Sequence, residues 1–129
     1  MKQILIYSIA LLTIYSCSKY EGLGGAATIK GVVVEQKYNS LGNVIASYPI
    51  PDQDVYIIYG AGKTFYDDDI KTSFDGSFEF RYLRKGVYKI FVYEDCTSCP
   101  SGQKEVLKEI EITEKNQELT LDTIYIKKL

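Results

Sequence analysis

The chain has 129 residues, a formal net charge of −2, 12 tyrosines, three cysteines and neither histidine nor tryptophan. The length fits one domain after a short leader, and the absence of a basic excess excludes an electrostatic nucleic-acid binder. Without histidine there is no conventional Ser-His-Asp triad and no His-containing zinc site, and no motif indicates a cofactor.

Residues 1–16 open with Met1-Lys2, continue through an almost wholly apolar run from Ile4 to Ile14, and end on the small Ser16 before Cys17. A positive start, a short apolar core and a small residue at the cut site predict a secretory signal peptide. The run is shorter than the roughly 20 apolar residues a membrane-spanning helix needs. The stretch before Cys17 resembles the bacterial lipobox, with Ser16 in place and with Ile14 and Tyr15 departing from the usual leucine and small residue. That resemblance implies lipid on the Cys17 thiol and an address in the cell envelope, anchored to the outer membrane on its periplasmic or its surface side. Residues 17–27, with Gly22, Gly24 and Gly25, read as a flexible tether, so the folded domain is expected over 28–129.

From Thr28 the hydrophobic period is two. Thr28 to Gln36 is a β-branched strand, and 37–53, broken by Gly42, Pro49 and Pro51, reads as a long connection. Val55 to Tyr59 is a second strand. Gly60-Ala61-Gly62-Lys63-Thr64 lacks the first glycine of a phosphate-binding loop and reads as a turn. Thr64 to Tyr66 is a candidate short strand, and Asp67-Asp68-Asp69 an acidic turn. Asp75-Gly76 signals a tight hairpin, after which Phe78, Phe80 and Tyr82 fall on one face, with Glu79 and Arg81 on the other. Gly86 turns the chain again. Val87 to Tyr93 is apolar on both faces, as expected of a central strand or of one whose outer face is a contact surface. Glu105 to Thr113 alternates poorly and admits a helical turn, and Leu119 to Ile126 closes the domain. Short strands with turn signals every ten residues or so predict an all-β, seven-stranded Greek-key β-sandwich.

The segments Gly31-Val32-Val33, Pro49 to Pro51, Thr72-Ser73-Phe74-Asp75-Gly76-Ser77-Phe78-Glu79-Phe80, Leu83, Gly86, Tyr88 and Ile90 together resemble the carboxypeptidase regulatory-like domain. The likeness covers about 28–126 and implies a transthyretin-like sandwich, a fold that serves as an accessory domain beside peptidases or outer-membrane transporters. The insertion at 37–48 departs from that family's tight turn.

Three groups are candidates for chemistry. Cys96 and Cys99, left over once Cys17 is lipidated, form a structural staple in an oxidising compartment, remain reduced, or act as a thiol–disulfide redox pair. Asp67, Asp68 and Asp69 are either a solvated turn or part of a calcium site, which wants six to eight oxygens. Tyr56, Tyr59, Phe65, Tyr66, Phe91 and Tyr93 are either core with wet rims or an exposed patch for a glycan or an envelope protein. The resulting expectation is a non-enzymatic binding or scaffolding module, joined to the membrane through Cys17. The rival is a redox or hydrolytic enzyme of the envelope.

Overall fold

The computed structural model describes residues 21–129; the expected signal peptide and Cys17 lie outside the described residues. Among the described residues there are nine strands: β1 (Leu23–Tyr38), β2 (Val44–Pro49), β3 (Asp54–Tyr59), β4 (Asp68–Lys71), β5 (Ser77–Leu83), β6 (Gly86–Asp95), β7 (Gln103–Ile112), β8 (Glu118–Thr120) and β9 (Ile124–Lys128). They form a five-stranded sheet built around β1 and a four-stranded sheet in the order β4-β3-β6-β7. The inner faces of the two sheets enclose one core, to which β1 gives Ala27, Ile29 and Val33, β3 gives Val55 and Ile57, β5 gives Phe78, Phe80 and Leu83, β6 gives Tyr88, Ile90 and Val92, and β9 gives Ile124 and Ile126. The all-β sandwich expected from the period of two is therefore present, with nine strands in place of seven.

The extra strands come from two segments with weak local signals. The connection expected at 37–53 is the β1–β2 hairpin, turned at Asn39, whose carboxamide oxygen accepts the backbone N–H groups of Leu41 and Asn43. The closing strand divides into β8 and β9, both parallel to β1 and pairing with Thr28–Lys30 and Val33–Lys37 respectively.

Four other expectations are corrected. The tether boundary moves, because β1 begins at Leu23 and the N–H of buried Gly22 donates to the Tyr88 hydroxyl at 2.9 Å. The glycines here serve close approach: a Cβ on Gly25 would stand 2.0 Å from the Leu83 carbonyl oxygen. Asp75-Gly76 is a tight turn, with Gly76 at φ 78°, but β4 and β5 lie in different sheets, so it carries the chain across the sandwich and does not close a hairpin. Thr64 to Tyr66 lies in the β3–β4 loop, and Asp68 and Asp69 are strand residues. Finally, 103–112 is strand β7, with no helical turn. Its alternation is blurred because Leu107 faces outward and Lys108 inward, which an edge strand tolerates.

Phe78 and Phe80 are buried as expected, but Tyr82 is exposed and Leu83 takes the inner place. The β1–β5 register slips between Ala27 and Ile29, and Tyr82 sits at φ 60°. An extra residue in one strand leaves this signature of a β-bulge, and it reverses the alternation beyond it.

Candidate functional site

The outer face of the four-stranded sheet is the most distinctive surface. Tyr56 pairs with Phe91 across β3 and β6, and Phe91 pairs with Leu107 on β7, so the three share that face. Phe91 is only 2% exposed yet stands outside the core cluster, because neighbouring rings cover it. Tyr56 stacks on Phe91 at 5.0 Å and 16°, while Tyr66, from the β3–β4 loop, leans on Tyr56 at 4.8 Å and 55°. Tyr93 stands edge-on to Tyr56 (5.5 Å, 69°) and to Phe91 (5.5 Å, 79°). Phe65, 83% exposed, lies beside this group in sequence.

Carboxylates border the rings on both sides. Register places Asp69 of β4 opposite Tyr56, Glu105 of β7 opposite Tyr93, and Glu109 opposite Lys89. Lys71 is bound to Asp54 at 3.0 Å, and Lys89 donates to the Ala61 carbonyl at 3.2 Å. Asp69, Glu105 and Glu109 have no ion-pair partner among the described residues. Burial, and then the charges of Asp54 and Asp69, raise the Tyr56 phenol above its ordinary pKa. Of the six aromatics singled out in the sequence, Tyr59 alone turns inward, packing on the core and edge-on to Tyr88 at 5.9 Å. Of the flanking carboxylates only Asp69 was singled out there, as part of the acidic turn; Glu105 and Glu109 were not, since only strand pairing brings β4 and β7 to the same face as the rings.

The other candidates do not assemble chemistry. The Cys96 and Cys99 sulfurs are 1.97 Å apart, the distance of a disulfide, in the turn joining β6 and β7. No helix begins there, so the dipole that lowers a redox thiol's pKa is missing. The three aspartates diverge. Burial pushes Asp67 up, but the Lys63 ammonium and the Tyr59 N–H outweigh it and hold the carboxyl below its ordinary value. Asp68 accepts the Asp69 N–H, and Asp69 joins the aromatic face. Among the described residues no three potential ligands converge on a metal position. Two depressions on the other sheet are lined in part by Lys30, Glu79, Arg81 and Glu118. Their charges are matched, Lys30 with Glu118 and Arg81 with Glu79.

No family model and no curated protein matches this sequence. Among solved structures, the chain is similar to a provisionally assigned carbohydrate-binding protein from Pseudomonas aeruginosa, at 14% identity and TM-score 0.49, covering 83% of this chain and 91% of that one. It is also similar to an (S)-allantoin synthase, at 10% identity and TM-score 0.42, over 79% of this chain and 42% of the enzyme. At these identities and scores neither likeness carries a ligand or an activity across.

Proposed function

We propose that this chain is an envelope lipoprotein, held to the outer membrane by lipid on Cys17, whose sandwich binds a partner without catalysing a reaction. The observation that carries the binding reading is the aromatic outer face: four rings in contact on a four-stranded sheet, bordered by Asp69 and Glu105, which have no ion-pair partner among the described residues. Rigid aromatic side chains give large contact area at small entropic cost, which is why they dominate binding surfaces. The Ser16-Cys17 junction supports the anchor, and more than one acyl chain would be needed to hold the protein firmly.

Two measurements test this reading. Mass analysis of the mature N-terminal peptide is expected to find acylated Cys17, and Cys17→Ser is expected to release the protein from membranes; a free thiol at 17 would overturn the anchor. A photo-crosslinking residue in place of Phe65, activated in intact envelopes, is expected to yield a discrete product that disappears with Tyr93→Ala. A product indifferent to Tyr93→Ala would overturn the face.

A further inference from the structure

Resting on that binding reading, we propose that the outer aromatic face recognises a cationic partner: an extended polypeptide segment bearing several arginine or lysine side chains. Two observations select this chemistry over a neutral sugar. The first is ring geometry. A sugar stacks best on a broad coplanar platform, but here the parallel pair is Tyr56 with the covered Phe91, and Tyr66 and Tyr93 stand at 55° to 79° to the rings they touch. The face of an aromatic ring attracts an organic cation through its quadrupole, and Tyr66, at the rim of the cluster, is 53% exposed. No cation of the chain itself lies over these rings among the described residues; the two lysine–ring contacts present, Lys37 with Tyr48 and Lys127 with Tyr38, are elsewhere.

The second is charge. Asp69 on one edge strand and Glu105 on the other are exposed and have no ion-pair partner among the described residues, while Lys71 is engaged with Asp54 and Lys89 stands opposite Glu109. Asp54 and Asp69 against Lys71 on one side, and Glu105 and Glu109 against Lys89 on the other, leave one excess negative charge on each side of the ring cluster. From β4 to β7 is three strand spacings, about 14 Å. A single ammonium ion cannot meet both edges. A chain carrying cations at intervals can cross the sheet, seating one side chain among the rings and others against the carboxylates.

The test is titration of the full chain in detergent with a short peptide alternating glycine and arginine, with its glutamine counterpart, and with a neutral glucan oligosaccharide. The arginine peptide is expected to bind about tenfold more tightly than the glutamine peptide and to weaken as salt rises. Asp69→Asn with Glu105→Gln, both exposed and outside the core, is expected to remove most of that difference while thermal unfolding stays unchanged. Tyr93→Phe is expected to retain binding and Tyr93→Ala to lose it. Equal binding of the two peptides, or indifference to the charge variant, would overturn the proposal. Oligosaccharide binding that needs Tyr93, with the arginine peptide inert, would overturn the cationic partner and leave the face as a binding site. Binding that ignores Tyr93 for every probe would overturn both.

Discussion

Tyr88 is fully buried, and its hydroxyl accepts the Gly22 N–H at 2.9 Å and donates to the Arg84 carbonyl at 2.7 Å. It thus fastens the start of β1 to the β5–β6 connection. Removing the hydroxyl leaves two backbone groups without a partner, so Tyr88→Phe should cost about 1–3 kcal/mol in urea unfolding. The same phenol carries a pH dependence. Burial raises its pKa above the ordinary value, and burial also raises those of Tyr56 and Tyr59. A raised phenol pKa means that the folded state keeps its proton after the unfolded state has lost it. This contribution to stability is therefore intact below about pH 10 and is lost as pH climbs from there through the folded pKa. Tyr88→Phe should lessen that alkaline decline, and an unchanged slope would mean another tyrosine carries it.

At the scale of elements, the bulge in β5 decides which residues reach the core. Phe80 precedes it and is buried; Phe80→Ala should cost about 3–5 kcal/mol. Tyr82 occupies φ 60° on the exposed side, a conformation suited to glycine, so Tyr82→Gly should be close to neutral while Tyr82→Val should destabilise clearly. Equal effects from the two would argue against the bulge. Most strands were legible because alternation survives wherever one face is buried: Val55 and Ile57, Tyr88 to Val92, and Phe78 with Phe80 all read correctly. What local pattern could not give was partnership. Asp75-Gly76 has the chemistry of a hairpin turn, yet Ser77 leaves for the opposite sheet; β2 and β8 are mostly exposed edge segments with little apolar period. The aromatic half of the candidate face was readable from β3 and β6, and its acidic border was not, because Asp69 and Glu105 are 36 positions apart and meet only through pairing.

On the scale of the whole molecule, the Cys96–Cys99 bridge closes only a small loop, so it constrains the unfolded chain little. Cys96→Ser with Cys99→Ser should lower stability by about 2 kcal/mol and leave the fold intact; loss of the folded state would show that the turn organises β6 and β7. β1 gives the molecule two distinct poles. One end of the strand is tied to Tyr88 through Gly22; at the other, Lys37 pairs with Lys128, and the neighbouring Leu129 N–H donates to Asp95, next to the bridged turn. From Cys17 to Gly22 the chain can reach at most about 18 Å, whereas 16 strand residues extend for up to about 50 Å. A lipid at Cys17 would therefore hold the Gly22 pole within about 18 Å of the bilayer and leave the opposite pole room to reach up to about 50 Å beyond it. Exposed Leu41, Val44 and Ile45 belong to that far pole, so a single greasy anchor divides the molecule into a tethered end and an apolar end that the tether alone does not bring to the lipid.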